Sequence, residues 1–284
     1  MTNDAATAGR NDTSPVSWNV IAQGWHKWVP QMREWYELAT NLMLNLAGIS
    51  PGARVLDVAA GDGDQSLAAA LRVGLDGYVL AIDAAAELLA LAERSARQAN
   101  VANLETRVME AEDLRLADAS FDAVICRFGL MLFSDPARAL AEMNRVLRSG
   151  GRASLVVYGV GGTPDFSLAL TTARGWYGLP EERSAATSVG EPDVLDQILR
   201  QAGFREVVVH TVNCRIVMAS AAECVRYLQD TSPTLRGLMP PSEEQHKVWE
   251  EIEGALWKFE GPTGFQVDHQ VLVASGMVPG HPST

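Results

Sequence analysis

Apolar residues recur every three or four positions from Trp18 through Ile21, Trp25, Trp28, Met32, Trp35, Leu38 and Leu42 to Leu46. That spacing predicts amphipathic helix. Pro30 is expected to divide it in two, because proline removes a backbone donor and crowds the preceding turn. From residue 51 short apolar runs alternate with helical periodicity. Strands are expected at 55–60, 78–83, 105–109, 121–126 and 152–158, with helices near 64–73, 85–99 and 135–147. Ser134 is placed to cap the last helix and the pair Gly150–Gly151 to end it. Beyond Gly162 the pattern predicts helices near 165–176 and 193–202, a strand at 206–212, and a helix opened by the capping box Ser220-Ala221-Ala222-Glu223. A helix at 242–258 and a last strand at 266–275 follow. Strand and helix in alternation predict an α/β fold: a doubly wound, seven-stranded, mainly parallel sheet with helices on both faces and a helical cap.

The same pattern divides the chain into four parts. Residues 1–15 read as a disordered polar tail and 16–49 as a helical lid. Residues 50–160 form a ligand-binding core, and 161–284 hold the rest of the sheet with cap insertions. A chain of 284 residues is long enough for one such domain and its cap. Charge narrows the partners: 23 Lys and Arg stand against 35 Asp and Glu, a net −12, with no basic cluster. Nucleic acid binding draws on phosphate neutralisation by cations, so no nucleic acid partner is expected. No apolar run reaches the length of a membrane span, so no membrane partner is expected. Cys126, Cys214 and Cys224 cannot all pair and match no zinc spacing, which points to a cytoplasmic setting and no metal.

The sharpest chemistry lies in Val55-Leu56-Asp57-Val58-Ala59-Ala60-Gly61-Asp62-Gly63-Asp64. An apolar strand runs into a turn of small residues and then a helix, so the backbone can approach a ligand closely. A second strand ends at Asp83, about 20 residues on, where a carboxylate can accept hydrogen bonds from ribose hydroxyls. A dinucleotide requires a third glycine for its pyrophosphate, where this chain has Ser66, and Asp62 and Asp64 would repel phosphate. S-adenosylmethionine carries a sulfonium and an ammonium and no phosphate, so an acidic loop suits it better. The rival readings are an NAD-dependent oxidoreductase and a non-catalytic protein that binds S-adenosylmethionine.

Four segments together resemble the class I S-adenosylmethionine-dependent methyltransferases, and within them the ubiquinone/menaquinone biosynthesis C-methyltransferase branch. They are VLDVAAGDGD at 55–64, LAID at 80–83, EAEDLRLADASFDAVICRFGLMLFSDP at 110–136 and ALAEMNRVLRSGGRASLVVYG at 139–159. The likeness covers roughly residues 50–160, with Ala59 where the family usually has glycine. It implies a Rossmann-like methyltransferase fold and S-adenosylmethionine as cofactor. It further implies that Asp57 and the backbone of Ala59, Gly61 and Gly63 surround the methionine part, and that Asp83 and Ala84 meet the ribose. Glu110, Ala111 and Glu112 would sit at the adenine edge, and Arg127 beside the methionine end.

Methyl transfer from a sulfonium is an in-line displacement with an excellent leaving group, so alignment and desolvation matter most. A base is needed only where the nucleophile keeps a proton. His26, between Trp25 and Trp28, is the first candidate base, ahead of His210 and His246. Trp25, Trp28, Phe128, Met131, Trp176 and Tyr177 are the candidate acceptor-lining residues and suggest a small, largely apolar molecule. Methylation on carbon or oxygen is favoured, of natural-product or quinone type. The aromatic N-terminal helices could also serve as a contact between identical subunits.

Overall fold

The computed structural model describes residues 14–180, 189–239 and 244–280. The predicted tail therefore lies almost wholly outside the described residues. The first helix, α1 (Pro15–Trp35), opens at Ser14, whose hydroxyl accepts the Ser17 N–H, with Pro15 in the first turn. It runs straight through Pro30, contrary to the expected division. Val29, Met32 and Trp35 stay buried on either side of the proline, so packing holds the helix past the one missing hydrogen bond. The chain breaks at Tyr36 instead (φ −106°, ψ 12°) and continues as α2 (Glu37–Leu46).

The core follows as β1 (Arg54–Val58), α3 (Asp64–Val73), β2 (Tyr78–Asp83), α4 (Ala86–Gln98), β3 (Leu104–Val108) and β4 (Phe121–Arg127). Next come α5 (Pro136–Val146), β5 (Leu147–Tyr158), α6 (Pro164–Trp176) and α7 (Pro192–Gln201). The chain ends in β6 (Arg205–Met218), α8 (Ala221–Thr231), α9 (Pro233–Leu238), α10 (Gln245–Leu256), β7 (Glu260–Gly261) and β8 (Gly264–Met277). Asp135, not Ser134, caps α5: Pro136 takes the first helical position, and the Asp135 carboxylate accepts the Arg138 N–H at 3.0 Å. The helix ends at Val146, and Gly150 (φ 79°) sits in a bend of the long strand β5 rather than at a helix stop.

Among the described residues the sheet order is β3-β2-β1-β4-β5-β8-β6, with the two-residue β7 paired to β8 as an eighth strand. The first five strands are parallel, and β8 runs antiparallel between β5 and β6. Alternate residues fill two cores. Val55, Val79, Ile125 and Val273 meet α1, α2, α6 and α10, while Leu56, Leu80, Val124 and Leu272 meet α5 and α7. Burial on both faces is why these strands read as continuous apolar runs. The carboxyl ends of β1, β2, β4 and β5 point to one rim, and α1 lies across it. Reversal of strand order between β1 and β4 opens a crevice there, the usual ligand position in such sheets.

Candidate active site

Two adjoining cavities occupy this rim. The larger is a cleft of about 1070 Å³ between the glycine loop, the ends of β2 and β4, and α1. The smaller, about 280 Å³, reaches between α1, α6, α8 and β8. Trp18, Trp25, Phe128, Leu132, Phe133 and Tyr158 form a wall common to both.

The loop geometry explains the sequence motif. Ala59, Gly61 and Gly63 all have positive φ, at 56°, 58° and 80°. Glycine adopts that region freely, whereas Ala59 holds it at a cost of about 1–2 kcal/mol. A side chain at Gly61 would meet nothing, because that backbone faces the cleft. A side chain at Gly63 would lie 2.7 Å from the Ala92 Cβ, so this glycine lets α3 and α4 touch. Gly63 is buried and lines neither cavity.

Asp83 lines the cleft and braces the loop. Its Oδ2 accepts the Gly61 N–H at 2.8 Å and its Oδ1 the Ala85 N–H at 2.8 Å. Burial raises its pKa, and those N–H groups partly oppose the rise. Each oxygen keeps a further lone pair for a ligand. Asp57 does not reach the cleft. It is fully buried beneath the loop, accepting from the Ser66 hydroxyl and from Gln65 Nε2 at 3.3 Å. Burial pushes its carboxyl up to about 7, against the pull of those two donors. Ala59, Ala84, Ala111, Glu110, Glu112 and Arg127 all line the cleft. Glu112 is occupied, accepting the Ser134 N–H at 3.0 Å.

The start of α3 is already filled with carboxylates. Asp64 receives Arg33 Nε at 2.6 Å and Arg127 Nη1 at 3.1 Å, and Arg127 also donates to Thr40 at 3.0 Å. Asp62 meets His26 Nδ1 at 3.0 Å. Burial raises the Asp62 pKa, partly offset by that hydrogen bond. A helix N-terminus is an anion site, and here the protein supplies the anions itself.

His26 thus ties α1 to the loop and lines neither cavity. Trp28 is buried, donating to Asp230 at 2.9 Å and packing edge-on against Tyr227. Trp176 is exposed, and Trp28, Trp176 and Tyr177 line neither cavity. Trp25, Phe128 and Met131 do line the smaller pocket. Phe128 takes a positive φ of 60°, which turns its ring onto Tyr158, stacked with centroids 4.5 Å apart.

The smaller pocket also holds polar groups that the sequence reading passed over: Asp165, His269 and Tyr158, with Tyr36 behind them. One signal was available. Val267, His269, Val271 and Val273 share the buried alternation of β8, so an imidazole takes a position where the pattern calls for an apolar side chain.

The comparisons with known proteins agree on the fold and on the core. The family described as a methyltransferase domain matches residues 56–155. The 2-phytyl-1,4-naphtoquinone methyltransferase of Nostoc is 35% identical over 130 residues, 44% of this chain and 54% of that protein. The ubiquinone/menaquinone biosynthesis C-methyltransferase UbiE of Laribacter hongkongensis is 30% identical over 186 residues, 61% of this chain and 76% of that protein. The chain spans about half the length of several of these curated relatives. Among solved structures, the YcgJ protein of Bacillus subtilis superposes with a TM-score of 0.60 at 18% identity, covering 86% of this chain and all of that one.

Proposed function

Because the chain belongs to the class I S-adenosylmethionine-dependent methyltransferases, we propose that it transfers a methyl group from S-adenosylmethionine to a small, largely apolar acceptor at carbon or oxygen. The observation that carries this reading is the pair of adjoining cavities. One is acidic and backed by a glycine loop. The other is apolar and aromatic, and the two meet at Phe128 and Tyr158. A second cavity of this chemistry favours an enzyme over a protein that only binds the cofactor.

The donor set suits the cofactor. Asp83 offers two carboxylate oxygens to ribose hydroxyls, and Gly61 leaves its backbone open to the methionine part. Glu110 and the backbone at Ala111 stand at the adenine edge. Asp57 acts from beneath, fixing the loop through Ser66 and Gln65. A pyrophosphate would collide with the charges of Asp62 and Asp64, which disfavours NAD. When bound, the cofactor supplies an electrophilic methyl on a good leaving group. The protein aligns the acceptor against it and keeps water out with Trp18, Trp25 and Phe133. The names of the quinone-methylating relatives support a flat, apolar, oxygen-bearing acceptor of comparable chemistry.

Calorimetric titration with S-adenosylmethionine, S-adenosylhomocysteine and NAD tests the cofactor. The first two should bind the wild type, and Asp83→Ala should weaken them by about 10–100-fold, the loss of charge-assisted hydrogen bonds. An acceptor screen by mass spectrometry then seeks a gain of one methyl group. Binding of NAD alone would overturn the reading.

A further inference from the structure

Four polar side chains from four separate elements meet in one line at the boundary of the two cavities. Asp165, in the first turn of α6, places Oδ1 2.7 Å from Nε2 of His269 on β8. Nδ1 of His269 lies 2.6 Å from the Tyr36 hydroxyl, at the junction of α1 and α2. The Tyr36 hydroxyl lies 3.3 Å from that of Tyr158, the last residue of β5. Asp165 and His269 line the smaller cavity with 0% and 2% of their surface exposed and Tyr36 lines the larger, whereas Tyr158 lines both.

One arrangement of protons lets the line act as a unit. Burial alone would raise the Asp165 carboxyl, but His269 and the Phe166 N–H outweigh it and hold it below the usual range. An ionised carboxylate only accepts, so Nε2 of His269 carries a hydrogen, and in the neutral imidazole that tautomer leaves the Nδ1 lone pair toward Tyr36. In that tautomer the Tyr36 O–H donates to Nδ1, which leaves its oxygen to accept from Tyr158; the 3.3 Å separation fits either hydroxyl as donor. The last link is long, as catalytic hydrogen bonds often are before substrate binds.

We propose that Tyr158, Tyr36, His269 and Asp165 form a proton relay that removes the hydroxyl proton of the acceptor. Tyr158 is the catalytic residue that touches the acceptor. Tyr36 and His269 conduct and store the proton, and Asp165 positions the imidazole. The inference rests on the methyl-transfer reading for its use but not for its chemistry. The acceptor O–H bond breaks and its proton joins the Tyr158 oxygen. The Tyr158 proton passes to Tyr36, and that of Tyr36 to Nδ1 of His269. The electron pair left on the acceptor, shared with ring carbon in a phenol, forms the new bond to the methyl group. The old bonding pair stays on the departing thioether sulfur. The imidazolium beside Asp165 is a neutral pair, and it returns one proton to water after product leaves.

Burial pushes the Tyr158 hydroxyl up to about 12 and that of Tyr36 well above its ordinary value. Both therefore pass a proton without accumulating as tyrosinate. The other groups facing the relay are Cys224 and Tyr227 from α8, Cys214 from β6, Arg127 from β4 and Asp268 beside His269. Burial keeps the two thiols and Tyr227 neutral. Asp268 is exposed and paired with Arg215. Arg127, the remaining cation, favours a negative acceptor oxygen.

The probe is 4-nitrophenol, whose phenolate is coloured, added to the full chain with and without S-adenosylhomocysteine. The bound probe should ionise about one pH unit lower than in water, a tenfold change. Tyr158→Phe should bind it within about threefold yet return its ionisation to the solution value. Tyr36→Phe should do the same, and so should His269→Gln; the two Tyr→Phe variants suffice if His269→Gln fails to fold. A purely structural network would not move this colour. Failure of millimolar 4-nitrophenol to bind, or equal ionisation in wild type and Tyr158→Phe, would overturn the relay. If the probe ionises as expected but S-adenosylhomocysteine does not bind, the methyl-transfer reading fails and the relay stands.

Discussion

The glycine loop of the larger cavity and the floor of the smaller one each bury one carboxylate completely, Asp57 and Asp165, and they are held in opposite ways. Asp57 meets only neutral donors, the Ser66 hydroxyl and the Gln65 amide, and burial wins, pushing it up to about 7. Asp165 meets an imidazole and the start of a helix, and burial is outweighed. At equal burial the decisive quantity is how much positive charge the partner can carry. Beneath the glycine loop the carboxylate is an anchor for Ser66 and Gln65. In the smaller cavity it keeps its negative charge beside the imidazole, as the proposed relay requires.

The largest test of this contrast is His269→Leu. It strands the Asp165 charge and should cost about 3–5 kcal/mol in urea unfolding at neutral pH. A loss of only about 1 kcal/mol would make the two carboxylates equivalent and end the comparison. The pH dependence comes next. The Asp57 pKa is higher folded than unfolded, so its contribution is fully present below about pH 4 and lost as pH rises through about 7. Wild-type stability should fall between pH 5 and 8 by roughly 2–3 kcal/mol more than that of Asp57→Asn. The Asp165 pKa is lowered, so its contribution is present above the unfolded value and lost only in acid as pH falls through the folded value.

Two smaller tests concern the backbone where the sides meet. A methyl group at Gly129 would lie 2.5 Å from the Ala59 Cβ and 2.8 Å from Cys126 Sγ. Gly129→Ala should cost about 1–3 kcal/mol by overpacking, and adding Ala59→Gly should recover part of it, a coupling of at least about 0.5 kcal/mol. Strict additivity would show that the two positions do not touch. Ala59→Gly alone relieves a left-handed alanine and should stabilise by up to about 1 kcal/mol, seen as a rise of a few degrees in Tm. No rise would mean that the loop shares its strain with Phe128, the other residue here with positive φ.

The cofactor half was legible because its signals are local. Strand, glycine turn, helix and acidic strand end follow one another in 55–83, and α3 begins and ends where periodicity places it. What a residue does within that half was less legible. Asp57 and Gly63 belong to the motif yet act through packing and hydrogen bonds beneath the loop. The acceptor half was mostly silent. Tyr36, Tyr158, Asp165 and His269 lie up to 233 residues apart in sequence, and no spacing rule joins them. His26 drew attention because it stands between tryptophans, but on the helix it turns toward Asp62 rather than into a cavity. Pro30 misled for a related reason. A local breaking tendency of a few kcal/mol loses to a helix buried along one face.

That uninterrupted helix ties two parts of the site together. The N-terminal half of α1 presents Trp18 and Trp25 to the cleft. The residue just past its end, Tyr36, lines the same cleft and lies within hydrogen-bond reach of both His269 and Tyr158. The aromatic wall and the middle hydroxyl of the polar line are therefore carried by one continuous stretch of chain, so a substitution that displaces α1 is felt at both.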